Sequence, residues 1–291
     1  MKTMRFAHSG PVTRTRAWVS AAVFTLASAS VMGGIPEAAA QTPDSRRAWL
    51  GVELERGPGG GVVAKHVIRT SPAAKAGVMD SDQIVSVDGK AIDEPKQVVA
   101  RVALLGPGNA LKLGIRRGGV EKEVSATLVP FPGADQILRV DKIGTFAPAW
   151  KPLTTVTGTV PVSVNGLRGR VVLLDFWATW CAPCRVMSPQ LSKWQTTYGA
   201  QGLAIVGFTS DTVPVATRTA QALDMRYAVA ADTGDATAGV YGVRSLPTMF
   251  VIDKKGVIRD VLVGYEPSRH KEVEKLLQTL LAEPAPPPQT P

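Results

Sequence analysis

Cysteine and histidine are both scarce in this chain. Only two cysteines occur among 291 residues, and both lie in the run Trp180-Cys181-Ala182-Pro183-Cys184. A zinc site built on Cys-x-x-Cys needs two more ligands, and beyond residue 40 the chain has only His66 and His270, neither of them near the pair in sequence. Arg185 follows the second cysteine, where haem attachment requires histidine. We therefore expect no metal and no cofactor, and the two thiols can pair only with each other.

Positive charge is in excess but is not concentrated. The chain carries 33 Lys and Arg against 24 Asp and Glu. The pairs Arg116-Arg117 and Lys254-Lys255 stand alone, and no aromatic side chains interleave a basic stripe. Because nucleic-acid binding relies on such a stripe, we expect no nucleic-acid partner.

An export signal is predicted over residues 1–40. Four basic residues occur within the first 16, Ala17 to Ile35 is almost free of charge, and Ala38-Ala39-Ala40 fits a small-x-small cleavage site. The uncharged stretch is rich in alanine and serine, which favours cleavage over the alternative, a retained membrane anchor. The expected location is the bacterial periplasm, where disulfides persist.

Composition divides the rest of the chain into two domains and a tail. Residues 46–130 are rich in glycine and short β-type runs, whereas residues 143–283 alternate strand-like and helix-like segments. The run Pro130-Phe131-Pro132-Gly133 breaks regular structure, and we predict a linker over residues 131–142. Residues 284–291 are proline-rich and predict an unstructured or extended tail.

The first domain is predicted to be small and mostly β, with two helices. The short helix begins at Pro72, with Ser71 as its N-cap and Gly77 as its stop. The longer helix covers residues 95–105 and ends at Gly106. The predicted strands cover residues 48–54, 61–68, 83–87, 111–116 and 121–128.

Three segments in this order, Ser71-Pro72-Ala73, Asp82-x-Ile84 and Val87-Asp88-Gly89, resemble a PDZ domain. Ser81 stands where PDZ domains of bacterial proteases usually have glycine, so the turn is expected to differ slightly, because glycine takes a positive φ at no cost. The resemblance implies capture of a peptide C-terminus, whose chain adds to a strand edge and whose carboxylate meets backbone N–H groups.

The predicted peptide groove combines a loop and a helix face. The residues assigned to it are Trp49, Leu50, Gly51 and Val52 in the loop, and Val98, Val99 and Val102 on the helix. The alternative is that the groove is empty or covered and that the valines are plain core.

The second domain opens with the apolar run Val171 to Trp177, which is typical of a strand buried on both faces. Cys-x-x-Cys directly after such a strand, at the start of a predicted helix over residues 183–198, is typical of a redox dithiol. Further strands are predicted over residues 204–209, 227–230, 248–252 and 257–263, and further helices over residues 214–223, 235–241 and 267–281. This alternation predicts an α/β fold with helices on both faces of a central sheet.

The helix start explains why Cys181 is assigned the attack on a client disulfide. Unpaired N–H groups and the macrodipole at a helix N-terminus favour a thiolate and lower the thiol pKa from about 8.5 toward about 7. Cys184, one turn further in, is assigned the resolution of the mixed disulfide.

Two blocks, residues 172–184 and 242–250, resemble the thioredoxin fold and most closely the exported TlpA/ResA-like thiol-disulfide oxidoreductases. The resemblance implies that Asp175 relays a proton to the inner cysteine, Cys184. It also implies that Pro247 is a cis-proline beside the dithiol, where the backbone of Leu246 pairs with a client. Trp180 and Pro183 are assigned to the same client-binding surface.

The residues alone leave alternatives for two of these positions. Asp175 could point into solvent from a strand end, and Pro247 could be a trans-proline that opens a strand. We favour the relay because a carboxyl within an apolar run is costly to bury unless it is neutral or paired.

The function expected from these observations is an exported thiol-disulfide oxidoreductase that reduces or exchanges disulfides of protein clients, with the PDZ module recognising a client or partner. The resemblance implies recharging by a membrane electron donor of the DsbD/CcdA kind. An alternative of another class is a peptide-binding adaptor whose thioredoxin-like domain is mainly a scaffold. The complete set of Cys181, Cys184, Asp175 and Pro247 argues against that alternative.

Overall fold

A computed structural model describes residues 44–57 and 61–287. The predicted signal peptide, residues 1–40, and the last four residues of the predicted tail lie outside these ranges. Within them, no helix combines the length and the apolar character needed to cross a bilayer.

The N-terminal domain is built mainly from strands. Its elements are β1 (Asp44–Trp49), β2 (Val52–Arg56), β3 (Val62–Val67), α1 (Pro72–Lys75), β4 (Gln83–Val87), β5 (Lys90–Ala91), α2 (Pro95–Leu105), β6 (Ala110–Arg117), β7 (Val120–Thr127) and β8 (Val129–Phe131). The main sheet is antiparallel in the order β2-β3-β4-β6-β7, with β5 paired to β4, while β1 pairs with β8. Strand β2 is therefore at one edge of this sheet.

Helix α1 begins as its sequence predicts. Pro72 is the first helical residue, and the Ser71 side chain accepts a hydrogen bond from the Ala74 N–H at 3.1 Å. Ser81 adopts a positive φ of 72°, so this turn has the left-handed geometry that glycine usually supplies.

The C-terminal domain alternates strands and helices. Its elements are α3 (Ala134–Lys142), β9 (Thr154–Thr157), β10 (Val171–Phe176), α4 (Ala182–Tyr198), β11 (Leu203–Thr209), α5 (Val213–Ala222), β12 (Ala228–Ala231), α6 (Ala236–Tyr241), β13 (Thr248–Ile252), β14 (Ile258–Val263) and α7 (His270–Ala282), with short 3-10 helices at Val164–Leu167, Gly199–Gln201, Thr233–Asp235 and Pro267–Arg269. The predicted α/β architecture is confirmed.

A six-stranded sheet in the order β14-β13-β10-β11-β12-β9 forms the centre of this domain. Strands β10, β11 and β12 run parallel, and β13, β14 and β9 pair antiparallel. Alternate residues of β10 enter two different cores. Val171 and Leu173 pack with α4 and α7, whereas Val172 and Leu174 pack on the other face with Tyr241 of α6. Helices therefore cover both faces of the sheet.

The segment predicted as a linker, residues 131–142, is instead largely helix α3. Leu138 packs on the core that contains Tyr241. The Arg139 guanidinium pairs with Asp260 of β14 at 2.9 Å and also donates to the carbonyl of Val261. The helix-breaking run ends at Gly133, and these contacts with the sheet stabilise the helix that follows. Strand β9, a four-residue strand at the sheet edge, was not predicted from the sequence.

Contacts cross between the two domains at this helix. The His66 Nε2 atom of β3 lies 2.9 Å from Oδ1 of Asp141. The Arg69 guanidinium donates to the Ile143 carbonyl at 3.0 Å, and Arg244 lies 3.3 Å from Glu53 of β2. The domain junction is therefore polar.

Candidate active site

The two cysteines form a disulfide at the start of α4. Cys181 is the N-cap residue of the helix, and its Sγ accepts a hydrogen bond from the Cys184 N–H at 3.2 Å. Strand β10 ends at Phe176, so the loop that follows carries the first sulfur to the helix tip. The sulfur of Cys181 thus occupies the position where a helix N-terminus stabilises a thiolate.

Both sulfur-bearing residues are nearly buried beneath an exposed apolar surface. Cys181 and Cys184 are 4% and 3% exposed, whereas Trp180 beside them is 75% exposed. Pro183 and Val186 on the first turns of α4 are exposed as well. The large indole of Trp180 is therefore an exposed apolar surface beside the redox pair, at the position where Trp180 and Pro183 are predicted to bind a client.

Asp175 lies inside the domain and does not point into solvent. Its side chain is buried, at 2% exposure, and Oδ1 has no hydrogen-bond partner among the described residues. Burial raises the pKa of Asp175 to about 7, and the nearby Tyr227 hydroxyl acts in the opposite direction. By strand alternation, Asp175 faces the layer of α4, which also contains Cys184. A carboxyl of this kind can exchange a proton near neutral pH.

The segment before β13 lies beside the end of β10, where Phe176 pairs with Thr248, and its Leu246 packs on the core that contains both cysteines. The Leu246–Pro247 peptide bond is cis. The Pro247 carbonyl accepts a hydrogen bond from the Gly264 N–H at 2.8 Å. No backbone hydrogen bond within the described residues uses Leu246, the residue that the sequence predicts to pair with a client.

Asp211 positions the cysteine loop and was missed in the sequence analysis. Its Oδ2 accepts hydrogen bonds from the Thr179 N–H at 2.6 Å and from the Thr209 hydroxyl at 2.9 Å. Asp211 follows β11, which runs parallel to β10, and the carboxyl ends of parallel strands meet at one edge of a sheet. Because Asp211 follows a predicted strand next to the one that precedes the cysteines, this rule could have identified it from the sequence.

The predicted peptide groove of the N-terminal domain is reproduced only in part. Gly51 has a φ of 79°, and its carbonyl and that of Leu50 accept hydrogen bonds from Ile68 and Ala73. Val98 is 1% exposed and belongs to the domain core, so it does not line an open groove as predicted.

The remaining predicted groove residues are more accessible. Val99 is 61% exposed, whereas Val52 of edge strand β2 and Val102 of α2 are half-buried. Trp49 is the last residue of β1 and precedes the loop. Three parts of the predicted groove therefore remain compatible with a ligand. They are the edge of β2, the loop that contains Gly51, and the outer side of α2.

Comparisons with known proteins agree with this two-domain description. Residues 48–128 match the PDZ domain, and residues 143–261 match the AhpC/TSA family. Thioredoxin-like protein YneN from Bacillus subtilis is 36% identical over 119 residues, which cover 40% of this chain and 68% of YneN.

Thiol-disulfide oxidoreductase ResA from Bacillus cereus is 31% identical over 112 residues, which cover 38% of this chain. The matched part spans about 65% of the length of that relative. Among solved structures, a thiol:disulfide interchange protein DsbE from Chlorobium tepidum, described as putative, is 32% identical. The match covers 48% of this chain and 99% of that one, with a TM-score of 0.45.

Proposed function

The chain belongs to the thioredoxin-like family, and from that membership we propose that it is a thiol-disulfide oxidoreductase that reduces or exchanges disulfides of protein clients. One observation carries the proposal: the only two cysteines of the chain form a disulfide at the N-terminus of α4. An adaptor that used this domain only as a scaffold would have no need of a bonded pair whose first sulfur caps a helix.

The proposed reaction proceeds in two exchanges. In the reduced protein the Cys181 thiolate attacks one sulfur of a client disulfide, and the other client sulfur leaves with the electron pair as a thiolate. The Cys184 thiol then loses its proton to Asp175 and attacks Cys181 Sγ. A disulfide forms within the protein, the mixed disulfide breaks, and the second client sulfur leaves as a thiolate. The client gains two electrons and the protein loses two.

The N-terminal domain is proposed to hold the client during these exchanges. Strand β2 is at the edge of its sheet, where a peptide can add as a further strand. Gly51 allows close approach of a terminal carboxylate to the backbone. Export to the periplasm and recharging by a membrane donor of the DsbD/CcdA kind complete the proposal, on the basis of residues 1–40 and of the resemblance.

Reduction of insulin by dithiothreitol tests the enzymatic part. The wild-type protein is expected to accelerate the reaction, and Cys181→Ala to abolish the acceleration. Ser188→Ala serves as the matched control on the same helix, because the Ser188 hydroxyl donates only to the Arg185 carbonyl. If wild type and Cys181→Ala were equally slow, the enzyme proposal would fail and the adaptor would be favoured.

The equilibrium reduction potential of the dithiol tests whether the protein donates electrons to its clients or accepts electrons from them. A reductant is expected to lie near the value of about −270 mV known for thioredoxin, and an oxidant near about −120 mV.

Peptide capture is tested separately by fluorescence anisotropy with a labelled peptide. A free C-terminal carboxylate should bind, and the same peptide with an amidated C-terminus should not.

A further inference from the structure

Three polar atoms without hydrogen bonds lie in the core layer that also contains the dithiol. Five buried side-chain polar atoms have no hydrogen-bond partner within the described residues, and three of them are Asp175 Oδ1, Trp177 Nε1 and the Tyr227 hydroxyl. Buried polar groups are nearly always paired, so a group of unpaired ones requires an explanation.

Gly207 shows how these three groups are arranged. Asp175 of β10 and Gly207 of β11 are direct neighbours across the strands, so they face the same side of the sheet. A Cβ atom on Gly207 would lie 2.9 Å from Trp177 Nε1 and 3.2 Å from Tyr227 Cε2. The indole N–H and the phenol ring therefore occupy the space that a side chain at position 207 would need, beside the carboxyl of Asp175.

Few titratable groups surround Asp175. Its cross-strand neighbours are Gly207 and Met249, neither of which titrates. The titratable side chains of the layer that it faces are Tyr198, Tyr227 and, packed against it, Tyr265, and the layer also holds the Cys181–Cys184 pair. Burial, and then the neighbouring Asp175, raise the pKa of Tyr227 well above its ordinary value of 10.0. The phenol is therefore protonated at neutral pH and is a hydrogen-bond donor.

We propose that Tyr227 is a positioning residue for the proton of Asp175, with the Trp177 indole N–H as a second donor beside it. This inference rests on the proposed function, because it concerns the same dithiol. In the oxidised protein neither donor makes a hydrogen bond of full geometry, but the Tyr227 hydroxyl lies near enough to Asp175 to lower the pKa of its carboxyl. When Asp175 ionises, the Tyr227 hydroxyl donates to the carboxylate, which lowers the cost of a buried charge. The donors thus set the pH above which Asp175 can accept the proton.

The step that depends on this arrangement is resolution of the mixed disulfide. The Cys184 S–H proton passes to the Asp175 carboxylate, and the sulfur keeps the electron pair. That sulfur bonds to Cys181 Sγ, and the bond from Cys181 to the bound thiol breaks, with the electron pair leaving on that thiol. Only the ionised fraction of Asp175 can start the step.

Rapid mixing of the reduced protein with Ellman's reagent separates this step from the initial attack. The first thionitrobenzoate released reports attack by Cys181, and the second reports resolution by Cys184. We expect the rate of the second phase in wild type to rise with pH through an inflection near neutrality. In Tyr227→Phe the inflection should move about one pH unit higher, so that the second phase is about tenfold slower on the acidic side.

Two further variants exclude a merely structural effect. In Tyr241→Phe the change also removes a buried hydroxyl, one that donates to the Pro148 carbonyl at 2.9 Å on the other face of the sheet. Tyr241→Phe should lower the free energy of unfolding and leave the pH inflection of the second phase where it is in wild type. Incorporation of a fluorotyrosine at position 227 strengthens the donor, and should move the inflection to lower pH.

Three outcomes overturn the inference. The first is that the second phase of Tyr227→Phe has its inflection at the same pH as in wild type. The second is that the inflection of Tyr241→Phe shifts as much as that of Tyr227→Phe. The third is that fluorotyrosine at position 227 does not move the inflection to lower pH. The fluorotyrosine protein gives a result even if Tyr227→Phe does not fold. Ellman's reagent is not a protein, so the two assays are independent. The pH inflection with Ellman's reagent can stay unchanged in the variants while the protein still reduces insulin, and the inflection can shift in a protein that does not reduce insulin. Failure of the inference is thereby distinguished from failure of the proposed function.

Discussion

His66 and Asp141 join the two domains, with the imidazole Nε2 2.9 Å from the carboxylate Oδ1. The other ring nitrogen, Nδ1, lies 3.5 Å from Oδ2 of Asp80. Burial lowers the pKa of His66, but Asp141 and Asp80 outweigh it and the net shift raises the pKa above 6.5. When it is protonated, the imidazole bridges the two carboxylates of Asp141 and Asp80.

The first prediction follows from that shift. Stability from protonated His66 is fully present below pH 6.5 and is lost as pH rises through the higher pKa of the folded state. The free energy of unfolding of wild type should exceed that of His66→Gln at pH 5.5, and the difference should shrink by pH 8.5. Denaturant unfolding at both pH values measures it. His270→Gln is the control, and an equal pH dependence in that variant would contradict the assignment.

The second prediction concerns the buried carboxyl. Because the pKa of Asp175 is about 7 against an ordinary 3.8, the protonated form stabilises the fold at low pH and the contribution is lost as pH rises to 7. Above that pH the ionised group costs up to about 4 kcal/mol. Oxidised Asp175→Asn should therefore be more stable than wild type at pH 8, with a smaller difference at pH 4.

A second buried aspartate provides the contrast to Asp175→Asn. Asp232 accepts hydrogen bonds from the N–H groups of Thr237 and Ala238, both at 2.8 Å, so Asp232→Asn should be destabilised at pH 8. Thermal or denaturant unfolding of both variants checks the pair. A destabilised Asp175→Asn at pH 8 would contradict a pKa of about 7 for Asp175, because it would show that ionisation of the buried carboxyl does not cost the fold stability.

The third prediction compares two glycines with similar backbone angles. Gly51 and Gly77 have φ values of 79° and 85°, but a Cβ on Gly51 would lie 2.2 Å from Ser71 Cβ, whereas Gly77 has open space. Gly77→Ala should cost about 1–2 kcal/mol from backbone strain alone. Gly51→Ala should cost more and should also weaken binding of a C-terminal peptide. If Gly51→Ala and Gly77→Ala lost the same stability, Ser71 would not crowd position 51 in solution.

The fourth prediction separates a buried ion pair from an exposed one. Asp82 is 1% exposed and accepts hydrogen bonds from Arg117 at 2.6 and 2.7 Å and from the Met79 N–H at 2.8 Å. Asp82→Ala should cost about 1–3 kcal/mol, because the Met79 N–H and the partly exposed Arg117 guanidinium lose their acceptor. Glu53→Ala, which breaks the exposed pair with Arg244, should cost at most about 1 kcal/mol. Denaturant unfolding measures both, and comparable losses would contradict the burial of Asp82.

Local signals in the sequence were enough to place most elements. The bounds of α2, β4 and β13 agree with the prediction residue for residue, and α4 begins one residue earlier than predicted. Proline at a helix start and glycine at its end depend on the backbone of a few neighbouring residues, so tertiary contacts hardly alter them. The positions of Cys181 and Cys184 follow from the same local information.

Features that depend on distant contacts could not be predicted in this way. Helix α3 follows a proline-glycine break, and its packing on the sheet comes from Leu138 and Arg139, which meet residues far along the chain. The burial of Val98 and the exposure of Val99 depend on how α2 lies on its sheet. Tyr227 gains its place beside Asp175 only because Gly207 leaves room for its ring.

The anchoring of α3 has a mechanical consequence for any bound client. Arg139 fastens the helix to Asp260, and Asp141 joins it to His66. Arg139 and Asp260 belong to the same domain, so of these two bonds swivelling of one domain about the other must break His66–Asp141. Under the proposed function, that bond restricts the angles from which a captured client reaches the sulfurs. Loss of the His66–Asp141 bond would release that constraint and lower the effective concentration of a tethered disulfide.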